Sequence, residues 1–300
     1  MTEQSATFTA VDLSKLPAPA VVETLSYETI YAAMLARLRQ LLPDFDAVVE
    51  SDPAIKVLQV AAYRELLLRQ RINEAARAVM PAYAIGPDLD NLAALLGITR
   101  LQLDPGNPDQ GIPPQFESDT DLRRRMVLAP EGYSVAGPEG AYIFHALSAD
   151  GDVLDASATS PTPGIVAVTV LSRTGDGTAS AALLERVAAK VSDEAVRPLT
   201  DQVIVQSATI IPYTVEAEIT TFSGPDGGVV MAESRRRLDE YITASHRLGR
   251  DITLSGLYAA LHAEGVQNVK LLSPTADIIV SRTEASWCTA VSVTHTGVGE

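Results

Sequence analysis

The stretch from Asp52 to Met80 constrains the chain most. It reads as one uninterrupted helix, about 40 Å long at 1.5 Å per residue. Asp52 is placed to cap it, its carboxylate accepting an amide of the first turn. Pro53 suits the first helical position, where its missing N–H costs nothing. No Gly or Pro follows until Pro81, which stops the run. Val57, Ala61, Leu68, Ile72, Ala75 and Val79 recur at steps of 4, 7, 4, 3 and 4, and Leu58, Ala62 and Leu66 widen that apolar stripe. The charged residues Lys56, Arg64, Glu65, Arg69, Arg71, Glu74 and Arg77 take the other face, with Glu65 and Arg69 at the favourable i,i+4 spacing. A helix this long exceeds what a small domain needs. Its stripe packs either on its own domain or on another subunit, and periodicity alone does not choose between them.

Three hundred residues exceed one small core, so two or three domains are expected. A net charge of −15 argues against a nucleic-acid surface, which needs a basic stripe. One cysteine, Cys288, excludes an internal disulfide framework and any cysteine-rich metal site. The first ten residues, M-T-E-Q-S-A-T-F-T-A, lack the basic and apolar regions of a signal peptide. No apolar run reaches the length of a membrane span. Aromatic residues make up only 5%, which leaves few platforms for stacking sugars or bases.

Residues 1–25 read as an extended arm, because L-P-A-P at 16–19 cannot be helical. Residues 26–128 read as a helical core-bundle domain. It opens with a helix from Ser26 to Leu42 and continues through the long helix. A short helix follows, with Leu89, Leu92, Ala93 and Leu96 inward and Gly97 as its left-handed stop. Residues 101–117, dense in proline and glycine, are expected to be an irregular insert. Ser118 to Asp121 fits a capping box opening a further helix. The period then changes. Residues 129–208 give a helix at 138–148, strands at 152–158 and 165–171, a helix at 179–195 and a strand at 203–206. Residues 209–300 repeat a similar order. A strand at 211–222 has Tyr213, Val215, Ala217 and Ile219 on one face, helices follow at 229–245 and 254–263, and strands come at 266–271 and 290–294. The fold class is therefore α+β and multidomain: a helical N-terminal domain followed by two small α+β sandwich domains.

Catalytic patterns are sparse. His145, His246, His262 and His295 lie outside any metal-ligand spacing. Asp119 and Asp121 are explained by capping. The turns at 172–178 and 224–228 are glycine-rich but lack the phosphate-binding lysine pattern, and each carries an aspartate that repels phosphate. Arg123–Arg125 and Arg235–Arg237 are expected to pair with carboxylates. Ser134, Ser255 and Cys288 have neither a nucleophile elbow nor a positioned base. No catalytic, metal or cofactor residue is assigned, and no cofactor is expected.

Several runs, in order, carry a family likeness: D-L-S-K-L-P-A-P, D-P-A-I-K-V-L-Q-V-A-A-Y-R-E-L-L-L-R-Q-R-I-N-E-A-A-R-A, A-I-G-P-D-L-D-N-L-A and S-D-T-D-L-R-R-R. They continue with A-G-P-E-G-A-Y-I-F-H-A-L, P-G-I-V-A-V-T-V-L-S, V-R-P-L-T-D-Q-V-I-V and L-G-R-D-I-T-L-S-G-L-Y-A-A-L-H-A-E-G-V. Together they span nearly the whole chain, which resembles the baseplate J-like proteins of contractile-tailed phages and R-type pyocin-like bacteriocins.

The resemblance implies a structural, non-enzymatic wedge subunit in the baseplate of a virion or bacteriocin particle, assembled in the host cytoplasm. It implies two copies joined to one tail protein I-like chain, linked into a ring around the hub and spike. A lysozyme-like-fold wedge protein would lie between ring and sheath. The ring's rearrangement would trigger sheath contraction. No nucleic acid or membrane span is expected. On this reading Val57, Leu58, Ala61, Leu68, Ile72, Ala75 and Val79 form an inter-subunit face. Two other classes make different demands. A glycan-binding or glycan-hydrolysing tail protein needs clustered aromatics or a pair of carboxylates, against a single Trp287 and nine scattered Tyr. An independent adaptor would be a monomer without partners.

Overall fold

The computed structural model describes residues 13, 17, 19, 21–45, 51–224 and 226–299. Most of the expected arm, including residues 1–12, lies outside them, as does Pro225 of the second glycine-rich turn. The chain divides into two compact units, one within residues 11–99 and one from residue 100 onward.

The first unit is helical. Helix α1 (Tyr27–Leu41) starts at Ser26, whose Oγ accepts from Thr29 N at 3.2 Å. Helix α2 (Pro53–Ala78) starts where the sequence places it, with Asp52 Oδ1 accepting from Ala54 N at 2.7 Å and Pro53 at its first position. Helix α3 (Gly86–Ala94) buries Leu89 and Ala93, and the chain turns at Gly97 with φ +71°. α1 packs along α2. The segment before α1 is clasped by α2: Glu23 N donates to Asn73 Oδ1 at 3.0 Å, Asn73 Nδ2 donates to Glu23 O at 2.8 Å, and Arg69 pairs with Glu23 at 2.9 Å. An asparagine carries one acceptor and a donor pair, so it can replace both hydrogen bonds of an extended residue.

The second unit runs from residue 100 onward. The expected insert holds a two-stranded antiparallel ribbon, β1 (Gln102–Asp104) with β2 (Gln115–Phe116), and a 3-10 turn at Pro108–Gln110. Helix α4 (Asp119–Gly132) packs on α5 (Glu139–Leu147). Strands β3 (Val153–Thr162), β4 (Ile165–Ser172) and β5 (Gln202–Ser207) form a sheet of order β3-β4-β5, antiparallel then parallel, with α6 (Ala181–Val191) as the crossover. Ala156, Ala158, Val168 and Val170 pack under Tyr142, Ile143 and Ala146 of α5 and Leu183, Val187 and Val191 of α6. Both helices thus cover one face.

The second sheet, of order β7-β6-β8, consists of β6 (Thr209–Phe222), β7 (Val266–Ser273) and β8 (Glu284–Gly299). The expected inward residues Tyr213, Val215, Ala217 and Ile219 pack there with Val230 and Leu238 of α7 (Gly227–Ser245) and Leu257 and Leu261 of α8 (Leu254–Leu261). β8 is much longer than expected because it pairs in parallel with β6 along that strand's whole length. Ala208 alone separates β5 from β6, and a small core of Leu171, Ala208, Leu248 and Ala285 joins the two sheets.

The other face of the first sheet buries polar groups, and a charge network satisfies them. Asp155, 1% exposed, accepts from Arg124 Nη2 at 2.5 Å, Ala156 N at 2.8 Å and Leu248 N at 3.0 Å. Arg247 Nη1 donates to Leu154 O at 2.5 Å. Asp121 pairs with Arg173 at 3.0 Å and with Arg247 at 3.7 Å. Beside them Glu117 and Arg125, both buried, form a bidentate pair, and Glu117 Oε1 also accepts from Leu101 N at 2.9 Å. Arg100 completes the group, donating to Glu117 O and Asp119 Oδ1, each at 2.7 Å. Burial pushes the Arg247 guanidinium down, against the pull of Asp155. For Arg124 burial acts the same way but is outweighed by Asp155 and Asp121, which hold it above the ordinary arginine value. Breaking such a pair strands a buried charge at about 3–5 kcal/mol. Glu117→Gln is therefore expected to lower the urea midpoint by the equivalent of about 3 kcal/mol, and Glu117→Met with Arg125→Met by clearly less, since no charge is left alone.

Candidate functional site: the outward face of the long helix

α2 has two apolar faces where the sequence reading drew one. Ile55 and Ala62 are buried, and Leu58, Leu66 and Asn73 beside them are half-buried. Leu58, Ala62 and Leu66 therefore belong to the inner side rather than widening an outer stripe. At 100° per residue, Val57, Ala61, Leu68, Ile72, Ala75 and Val79 form a separate stripe about 120° round the helix from them. Val57 and Val79 are each 68% exposed, Leu68 66% and Ile72 60%. Ala75 is exposed and Ala61 half-buried.

Three exposed residues, Val60, Tyr63 and Leu67, were not assigned from the sequence. Their signal was the three- and four-residue spacing from Val57, obscured by Arg64 between them. From Val57 to Val79 the outward face runs for about 33 Å. Glu65 and Arg69 pair at 2.7 Å as their spacing predicts, and Arg69 also reaches Glu23. Glu65 and Arg69 thus lie on the flank that holds residue 23, while Lys56, Arg64, Arg71 and Glu74 stand exposed round the rest of the helix. Water-exposed apolar area in a continuous stripe marks an association surface.

The remaining candidates resolve into structural roles. His145 Nε2 meets Gly132 O at 3.2 Å, and burial lowers its pKa. His246 Nδ1 meets Ser286 O at 2.7 Å, and His295 Nε2 meets Thr221 Oγ1 at 3.1 Å. Among the described residues no His, Cys, Asp and Glu group has metal-binding geometry. Gly175 and Gly177 take positive φ, +64° and +98°, so the 172–178 segment is a turn. A Cβ at Gly177 would lie 2.5 Å from Leu171 Cδ1. Asp121 does more than sit at the start of α4. Ser118 Oγ accepts its amide at 3.1 Å, while its carboxylate joins the buried network. Arg235 and Arg236 pair with Asp239, Glu233 and Glu240, and Arg237 donates to the carbonyls of Ala259 and His262.

Comparison with known proteins separates the chain into three matched segments. Residues 50–107 match the Baseplate J-like N-terminal domain, 134–207 the Baseplate J-like central domain and 213–294 the Baseplate J-like protein C-terminal domain. The chain belongs to the baseplate J-like family. Baseplate protein J of Escherichia phage P2 is 49% identical over 300 residues, covering 97% of this chain and 99% of that protein. The cryo-EM structure of the anti-feeding prophage (AFP) baseplate, 6-fold symmetrised, contains a chain 16% identical with a TM-score of 0.42. The match covers 60% of this chain, which spans 43% of that chain's length. The likeness carried by the ordered sequence runs is thus confirmed. The chain is a structural protein of a tail baseplate, in a virion or particle. The N-terminal family segment begins just ahead of the α2 cap.

Removing that cap tests the start of α2 directly. Asp52→Ala is expected to cost about 1 kcal/mol and to raise amide exchange at Ala54 and the next turn, with α7 and β6 unchanged.

Proposed function

We propose that the chain is a non-enzymatic wedge subunit of a contractile injection tail. The outward face of α2 binds a second copy and a tail protein I-like chain in a shared helical bundle. Wedges so formed link into a ring around the hub and spike, with a lysozyme-like-fold wedge protein between ring and sheath. Rearrangement of the ring then triggers sheath contraction, which requires subunit contacts with two stable arrangements. The observation that carries the reading is the exposure of Val57, Leu68, Ile72 and Val79 on one side of a 26-residue helix. Covering a Leu or Ile that is largely exposed contributes on the order of 1–2 kcal/mol each.

A glycan-hydrolysing reading finds little support in the second unit's cavity of about 990 Å³. Its one aromatic lining residue is Tyr142, whose hydroxyl is given to Asp201 at 2.8 Å. It is lined by two acids: Glu139 is paired with Arg282, and Glu284 accepts from Ser281 N at 2.9 Å.

The test is co-expression with a tail protein I-like chain and a copy of this chain. Leu68→Asp with Ile72→Asp should abolish co-purification while leaving the unfolding free energy of the isolated chain within about 0.5 kcal/mol, because both positions face water. Complexes of normal stoichiometry from that variant would refute the assignment.

A further inference from the structure

The two longest helices of the first unit are basic in an acidic chain. α2 carries Lys56, Arg64, Arg69, Arg71 and Arg77 against Glu65 and Glu74, and α1 carries Arg37 and Arg39 against Glu28, while the whole chain stands at −15. Both carboxylates of α2 are engaged within the helix, Glu65 with Arg69 at 2.7 Å and Glu74 with Arg71 at 3.7 Å. Arg64 is exposed and has no partner among the described residues, and the Arg71 side chain is 82% exposed.

These two arginines border the apolar stripe. At 100° per residue they stand within about 40° of Val57, on the side away from Ile72. Val60 and Leu67, both exposed, lie just beyond them. Arg64 and Arg71 are seven residues apart, about 10 Å along the axis, so a helix seated on the stripe meets both with one of its own flanks. Cations at the border of an apolar seam select a partner by charge.

We propose that the helix seated on this border belongs to a different chain and carries two carboxylates seven residues apart, one for Arg64 and one for Arg71. The proposal rests on the reading of the α2 face as a subunit interface, and it assigns this border to the tail protein I-like chain rather than to the second copy. A second copy lacks a suitable helix. Its α2 sets arginine against arginine, and such like-charge rows oppose binding. Among the described helices only Glu233 and Glu240 of α7 lie seven residues apart, and Arg236 binds both. The complementary charge therefore comes from outside this chain.

The test uses the full-length chain co-expressed with a tail protein I-like chain. Arg64→Glu with Arg71→Glu should weaken capture of that chain about tenfold in low salt, with an unchanged unfolding midpoint because both side chains face water. The wild-type complex should weaken as salt is raised, and the reversed one should not. Lysine at two helical carboxylates of the tail protein I-like chain, seven residues apart, should restore binding to the reversed chain. Undiminished capture by the arginine variant, where Leu68→Asp with Ile72→Asp abolishes it, would overturn the proposal and leave the α2 interface standing. Loss of the second copy alone, or restoration by no carboxylate pair of that spacing, would overturn it as well. If neither pair of substitutions affects capture, the interface reading falls and the proposal with it.

Discussion

Asp155 sits at the joint of the second unit, where α4 and the two sheets meet. Its carboxylate takes hydrogen bonds from Arg124 of α4, from its own strand and from the amide of Leu248 in the second sheet's layer. Arg247 adds a return contact to Leu154 O and a longer one to Asp121. Buried carboxylates and guanidiniums are tolerable only when each is paired, so these groups fix one arrangement of helix and sheets rather than add much net stability. The apolar joint of Leu171, Ala208, Leu248 and Ala285 lies beside them and has few side chains. Dispersion and burial hold such a joint together, while the charged contacts decide its register.

The helical unit is built on the opposite principle. Among its described residues Ile30, Ile55, Ala62, Ala84, Leu89, Ala93 and Ile98 are the buried hydrophobics, while much of α2's apolar surface faces water. Asn73 and Arg69 hold the segment before α1 on one flank.

Much of this was legible in the sequence because the signals were local. Asp52-Pro53 fixed where α2 begins, and alternation placed Tyr213, Val215, Ala217 and Ile219 inward on β6. The misses involve distance. Asp121 and its partner Arg173 are 52 residues apart, so capping explained the local half of its role and hid the rest. The same long-range pairing ties α4 to the first sheet of the second unit. β8 was underestimated because register shifts on either side of Ala290–His295 break the two-residue period that marks a strand. On α2 the exposed Val60, Tyr63 and Leu67 lie outside the stripe that periodicity draws. The division of the apolar positions into inner and outer faces depended on α1 and the arm, which periodicity does not contain.

The central claim is that the outward face of α2 is covered in the baseplate and bare in the isolated chain. The direct measurement is maleimide labelling of Leu68→Cys in a Cys288→Ser background, comparing purified chain with assembled particles. Rapid labelling of the free chain and strong protection in the particle are expected. Equal labelling rates in both would contradict the claim.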